Sequence, residues 1–423
     1  MAVAAVLAAT MGVGASSAFG AAQRTAGPTT ALALSPPRAF TGQLVVADLH
    51  GSTVPTGTTL RRLTVNWGDG SRVASLVGLR STPAHRYARP GRYVVSETLV
   101  DSAGRSSRRS RVELVAHAQR LYWDLFNGDG LQYQLESAAL PLSVRSATSA
   151  ISGTTGNKLQ CTAGMTVDAR GRLFVLSYPN GCSAPMSAAI QVFGLPLTPS
   201  STPILTLALP GQGDDDNLAF DHRGNLWVED AYSDAVYEFK GPFTTSATLS
   251  PALTLTSGIS MPSGIAVDAR GDVFVANGAS NGARSIAVFR APVTPATTPT
   301  FLDGLQSPGG LIFDTRGDLY ASNNPSSGKG SALVRFNANH LENGAAPSIV
   351  DRAGVGGIHG RPHEANFAWD ALGNLYLADC GNEASLKVYP LGTTAFGPRL
   401  SPSLVFTNHS ITSLGCAWGI GVH

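Results

Sequence analysis

The chain has little charge. Only 14% of its 423 residues are Asp, Glu, Lys or Arg, and the formal net charge is +2. That balance excludes the strong uniform field that draws a protein to nucleic acid or to an anionic membrane. Lysine is almost missing: Lys158, Lys240, Lys329 and Lys387 stand against 26 arginines. With the abundant alanine and glycine, this reads as GC-rich coding rather than chemistry. There are four cysteines, and their spacing fits no zinc motif. No G-x-S-x-G elbow and no phosphate-binding loop occurs. What the chain does have is 47 glycines and 26 prolines. These suit many turns and short strands, not long solvated helices.

Residues 1–22 are small, apolar and uncharged. They match the apolar core of a secretory signal, with cleavage expected near Ala18 or Ala22, although the positive n-region is missing. The other reading is an uncleaved anchor, which would be the chain's one attachment to a membrane. Residues 23–30 read as a linker. Four cysteines (Cys161, Cys182, Cys380 and Cys416) suit an exported protein with two bridges. The expected location is outside the cell or at its surface.

Five times the sequence writes one short phrase. Its first form is Gly164-Met-Thr-Val-Asp168-Ala-Arg-Gly171-Arg-Leu-Phe-Val175, and variants follow at Asp221, Asp268, Asp314 and Asp370. The phrase is a strand, a tight Asp-x-x-Gly turn and a second strand. A third strand follows in each repeat, as in Ile286-Ala-Val-Phe289, and a fourth after a Pro- or Ser-rich loop. A period near 50 residues with four strands marks one propeller blade. Gly415 to His423 reads as one more innermost strand, Gln119 to Trp123 as a second and Leu131 to Leu135 as a third. Pairing them closes the ring and removes exposed edges. Residues 117–423 are therefore expected to form a six-bladed all-β propeller, zipped shut by its termini.

Residues 31–116 carry Trp67-Gly-Asp69-Gly70-Ser71, His85-Arg-Tyr87-Ala-Arg-Pro90-Gly91-Arg-Tyr93 and Asp101-Ser-Ala-Gly104. Asp-Gly and Pro-Gly are turn signals, and Trp67 suits the core between two sheets. The segment resembles the PKD domain, an immunoglobulin-like β-sandwich. The resemblance implies a spacer or adhesion module rather than a catalyst. Arg105, Arg108, Arg109 and Arg111 read as a basic run in its last strand, a solvated edge or a polyanion-binding stripe.

The repeated phrase resembles the NHL repeat. It is also similar to the six-bladed gluconolactonases and to streptogramin lyase. The turn aspartates are expected to accept backbone N–H bonds on one face. The other face gathers Asp214, Asp215, Asp216, Glu229, Asp230, Asn277, Asn323, His363, Glu364 and Asp379. Hard oxygens converging on an axis suit Ca²⁺ or another divalent cation. The gluconolactonase resemblance implies a metal at Asn277, Asn323 and Asp379. His363-Glu364-Ala-Asn-Phe-Ala-Trp369-Asp370 is similar to that family's E-x-P-x-W-[DE] motif, one residue out of step and without the proline. His359, His363, Glu364 and His409 match the lyase in residue type. Asp124, Asn127 and Asp129 read as a β-turn.

Cys161 precedes the first strand of its blade and Cys182 follows the second, so an antiparallel hairpin brings them together. Cys380 and Cys416 would likewise latch the closing blade. The reading favoured is a non-enzymatic binding protein that holds an extracellular protein or polysaccharide on the propeller face, with no nucleic-acid partner and no certain cofactor. The rivals are a metal-dependent lactonase-type hydrolase or lyase, and a purely structural surface or matrix protein.

Overall fold

A computed structural model describes residues 26–107, 109–127, 132–140, 142, 148–152, 159, 161–178, 187–210, 217–278, 284–323, 332–351, 365–379, 385–390, 403–407 and 419–423. Among the described residues every regular element is a strand, and no helix is long and apolar enough to cross a membrane. The chain divides into two compact units, one running to Val115 without Phe40–Gln43 and Arg86–Pro90, the other made of Ala116–His423 together with those two short segments.

The first unit is a β-sandwich. A three-stranded sheet (Ala33–Ser35, Leu44–Asp48, Ala84–Arg86) accompanies a five-stranded one in the order Arg38–Phe40, Ser110–His117, Gly91–Asp101, Leu60–Asn66, Ala74–Leu76. Strand alternation sends Val45 and Ala47 inward from one sheet and Leu63, Val65, Leu99 and Leu114 from the other; all are buried. Trp67 is 3% exposed and stacks on His85 at 5.1 Å between ring centroids. His85 Nε2 lies 2.7 Å from Asp69 Oδ2. Partial burial pushes the Asp69 carboxyl up, but the Ser71 and His85 hydrogen bonds outweigh it and hold the group below its usual value.

The basic run is not a stripe along the last strand. That strand begins at Ser110, so it carries only Arg111 of the set. Arg105 sits in the preceding turn, where its Nε donates to Asp101 Oδ2 at 2.8 Å. Arg108 lies outside the described residues.

The second unit is a six-bladed β-propeller. Five blades follow in order along the chain. The first is Thr162–Val167, Arg172–Ser177, Ala189–Gly194 and Leu205–Ala208, with Ala247–Thr248 added in parallel at its outer edge. The second is Leu218–Phe220, Leu226–Asp230, Ala235–Phe239 and Leu253–Leu255. The third is Pro262–Val267, Val273–Asn277, Ile286–Phe289 and Thr300–Leu302. The fourth is Pro308–Phe313, Leu319–Asn323, Ala332–Phe336 and Ser348–Asp351. The fifth is Ala365–Trp369, Leu375–Asp379, Ser385–Tyr389 and Leu404–Thr407.

A closing blade joins the two ends of the unit. The C-terminal strand Ile420–Val422 pairs antiparallel with Arg120–Asn127, which pairs with Gln132–Ala139 and then Thr148–Ser152. Asp124 belongs to this sheet rather than to a β-turn. The closing strands start and stop a few residues away from the sequence expectation, because the register is set by pairing across the termini rather than by the local phrase.

The repeated phrase explains how the blades stack. Side chains of each second strand alternate between the two neighbouring blades. Phe174 and Leu176 of the first blade meet Leu226 and Val228 of the second. Trp227 of the second meets Val273 and Val275 of the third. The pattern repeats with Phe274 and Ala276 against Leu319 and Ala321, and with Tyr320 against Leu375 and Leu377. It then closes with Tyr376 and Ala378 against Leu121 and Trp123, and with Tyr122 against Leu173 and Val175. Hence the aromatic at the sixth residue after each turn aspartate fills one inter-blade layer. Burying each such ring contributes on the order of 2–3 kcal/mol by area.

Candidate functional site

The innermost strands of the closing blade and of the five others stand side by side around a central channel of about 360 Å³. Its wall includes Met165, Asn217, Ile265, Leu311, Phe367 and Gly421, one residue from each blade. At one end lie the Asp-x-x-Gly turns. At the other, second strands end and innermost strands begin, so the connections between blades and between second and third strands gather there.

The turn end is built by one geometry repeated. Asp168 Oδ1 accepts the N–H groups of Arg170 and Arg172 at 3.0 and 2.8 Å. Asp221 does the same for Arg223 and Asn225, Asp268 for Arg270 and Asp272, Asp314 for Arg316 and Asp318, and Asp370 for Leu372 and Asn374. The glycine of each turn has φ between +74° and +90°, open to a residue without Cβ. The aspartates are turn-builders, as their spacing leads one to expect. Asp101 of the first unit makes the same turn, accepting from Ala103 and Arg105.

The opposite end holds the candidate residues. Asn277 Oδ1 accepts the Ser260 N–H at 2.9 Å, and its Nδ2 donates to Gly258 O at 3.0 Å. Asn323 Oδ1 accepts both the Gln306 and Ser307 N–H groups, at 2.8 and 3.0 Å. Each amide thus ties down the loop that leads into its own blade. Both acceptor directions of the Asn323 oxygen are taken, which does not suit a cation ligand. Asp230 Oδ1 accepts the Ser233 N–H at 3.0 Å and its Oδ2 the Tyr237 hydroxyl at 3.2 Å. It pins the short hairpin Ala231–Asp234.

Glu229 is fully buried between the second and third blades. Asn217 Nδ2 donates to its Oε1 at 3.1 Å and to Ser263 O at 3.2 Å. Ser263 Oγ in turn donates to Pro308 O at 2.8 Å. The chain of bonds runs from the second blade through the third to the fourth. Burying a carboxylate among apolar layers is costly unless it is hydrogen-bonded in this way.

Asp379 ends a second strand opposite Ala365. Asp214, Asp215, Asp216, His359, His363, Glu364 and His409 lie outside the described residues, as do Cys182, Cys380 and Cys416. Cys161 is not free: its sulfur is committed to a disulfide. Its carbonyl accepts the Tyr178 N–H at 3.0 Å, so the two ends of that hairpin do meet. Among the described residues, no group of three or more His, Cys, Asp or Glu side chains is placed to hold a metal ion.

Sequence reasoning missed Tyr232. It stands 80% exposed at the tip of the Ala231–Asp234 hairpin. Asp234 Oδ1 accepts the Met261 N–H at 2.5 Å, anchoring this hairpin to the third blade. The signal was in the sequence: Asp230-Ala-Tyr-Ser-Asp234 is a tight turn whose aromatic has no strand to pack in.

The second unit is thus a β-propeller, its six sheets ranged around a central channel. No known protein-family model matches the chain, and no curated protein does. Several solved structures align with it. A protein from Lactobacillus plantarum is 14% identical over 86% of this chain and 100% of its own, with a TM-score of 0.42. A putative 6-phosphogluconolactonase from Bacteroides fragilis is 12% identical over 72% and 98%, with a TM-score of 0.40. A catalytically inactive virginiamycin B lyase from Staphylococcus aureus, solved with quinupristin, is 11% identical over 68% and 84%, with a TM-score of 0.37. At these values the likeness assigns no activity.

Proposed function

We propose that this is an exported, non-enzymatic binding protein that holds an extracellular protein or glycan on the propeller end opposite the Asp-x-x-Gly turns. The sandwich, PKD-like in its sequence, serves as spacer. The observation that carries this reading is the use made of Asn277 and Asn323. Their oxygens hold loop backbone in place rather than converge on a reacting group. A rim spent on fixing loops is a platform for recognition, since a rigid scaffold presenting variable loops is how many folds bind. The connecting segments are rich in Gly, Ser and Asn, as in Gly278-Ala-Ser-Asn-Gly-Ala-Arg-Ser285 and Asn324-Pro-Ser-Ser-Gly-Lys-Gly-Ser331. Such residues offer hydrogen bonds to a polar partner at little apolar cost. Tyr232 adds an exposed aromatic contact on an anchored hairpin.

Two cystines, Cys161–Cys182 and Cys380–Cys416, would staple this end against loop opening and fit an oxidising compartment. The leader at residues 1–22 supports the same address.

The reading is tested by screening the purified protein against glycan and extracellular-protein arrays, with Tyr232→Ala alongside. Binding lowered about tenfold by Tyr232→Ala, with an unchanged melting temperature, supports it. Turnover of a lactone that stops on chelation and is restored by Ca²⁺ would replace it with the hydrolase reading.

A further inference from the structure

The turn end carries a pattern that the binding face does not use. Two residues after the turn aspartate, four successive blades place an arginine: Arg170, Arg223, Arg270 and Arg316. All four are exposed. Their turns share one hydrogen-bond geometry and follow directly on the innermost strands. The four residues therefore hold equivalent places on adjacent blades, in an arc around the channel mouth. In the fifth blade the place is taken by Leu372, and in the closing blade the innermost strand Ile420–Val422 and the second strand Arg120–Asn127 come from distant parts of the chain, so no such turn joins them.

Asp314 pairs with Arg316, while Oδ1 of each turn aspartate is given to backbone N–H groups of its own turn. The Asp168 and Asp314 side chains are only 9% and 10% exposed, their carboxylates turned in to backbone N–H groups. Arg316 reaches back to Asp314 at 3.2 Å yet keeps 61% of its side chain exposed. His222 is exposed beside Arg223. Between the third and fourth blades a groove of about 650 Å³ opens beside the arc, where Arg270, Arg290 and Arg316 stand with Asp268, Asp272, Asp314 and Glu342, and Arg290 is paired with Asp272 at 2.8 Å. Guanidinium groups in a fixed fork suit carboxylate, sulfate and phosphate esters.

We propose that this arc is a second binding surface, for a linear anionic polysaccharide, separate from the recognition end of the propeller. Spaced charges on successive blades match charges repeated along a polymer better than a single small anion. Among the described residues no exposed Phe, Tyr or Trp lies on this end to stack bases, which favours a charged sugar chain over a single-stranded nucleic acid.

The test uses the full chain, with dextran sulfate and polygalacturonate as probes, neutral dextran as control and single-stranded DNA of matched charge as competitor. The two anionic glycans are expected to bind and neutral dextran not to. The combined change Arg170→Gln, Arg223→Gln and Arg270→Gln should weaken binding at least tenfold. It should also lower the slope of log affinity against log salt by about 1 for each arginine replaced. The corresponding triple lysine variant should keep most of the affinity, and Tyr232→Ala should change none of it. Failure of the anionic glycans to bind at low ionic strength overturns the proposal. So does a glutamine triple that binds as the parent does, or single-stranded DNA that binds more tightly than dextran sulfate.

Discussion

Gly421 lies directly opposite Tyr122 in the antiparallel pair that joins the two ends of the propeller. A methyl group on Gly421 would stand 3.3 Å from Val167, so the last strand rests on the innermost strand of the first blade as well. Two residues on, His423 and Arg120 exchange backbone hydrogen bonds at 2.8 and 3.0 Å. Ring closure therefore depends on a three-residue strand, Ile420–Val422. Burial pushes the His423 imidazole below its usual value, and nearby His117 adds to this.

Removing Leu414 to His423 should unfold the whole ring together rather than fray one blade. The deletion bares the edge of Arg120–Asn127 and opens the layers around Tyr122 and Trp123, both buried. Loss of an inter-blade seal of this kind belongs among the exceptional destabilisations, above about 4 kcal/mol. Urea unfolding followed by circular dichroism gives the answer. A truncated chain with the parent midpoint would show that the closure carries no weight.

The innermost strands touch through glycine backbone. A Cβ on Gly264 would fall 2.3 Å from Gly309 O in the next blade, an approach that no side chain can relieve. Gly264→Ala must push two blades apart, at a cost of about 1–3 kcal/mol. Gly194, at the end of an outer strand, has open space where its Cβ would be. Gly194→Ala should be neutral or stabilise by up to about 1 kcal/mol. Equal effects of the two changes on the denaturation midpoint would refute the close-approach argument.

How far the sequence could be read follows from the range of the forces involved. The Asp168 turn and its repeats are local. Their hydrogen bonds lie within four residues, so the phrase itself specified them, whereas the closure at Tyr122 joins distant strands and was read from the strand-like segments that the five repeats leave over. The recognition end was legible only as a set of residue types. What Asn323 does is decided by the Gln306 and Ser307 backbone in the preceding loop, and what Glu229 does by Asn217. Neither partner is marked by spacing. The arginines of the turn end stood in plain view within the repeat, but their exposure appears only once the aspartates beside them are seen to face inward.

Asp221 offers a pH-dependent check on the turn. Burial alone would push its carboxyl up, but the Asn225 backbone and side-chain hydrogen bonds and the Arg223 N–H outweigh it and hold the group below 3.8. A depressed folded value means that the contribution is complete above the unfolded value and is lost as pH falls through the folded one. The parent protein should therefore lose stability on the acid limb below about pH 4, the usual carboxylate range. Asp221→Asn cannot titrate, so its melting temperature should fall less steeply over the same limb while lying lower at neutral pH. Asp221→Ala leaves the Arg223 and Asn225 N–H groups without their acceptor and should cost about 1–3 kcal/mol at pH 7. Parallel acid limbs for the parent and Asp221→Asn would mean that the carboxylate's hydrogen bonds do not stabilise the turn. In that case the recurrence of aspartate through five blades would need a cause other than the N–H groups it accepts.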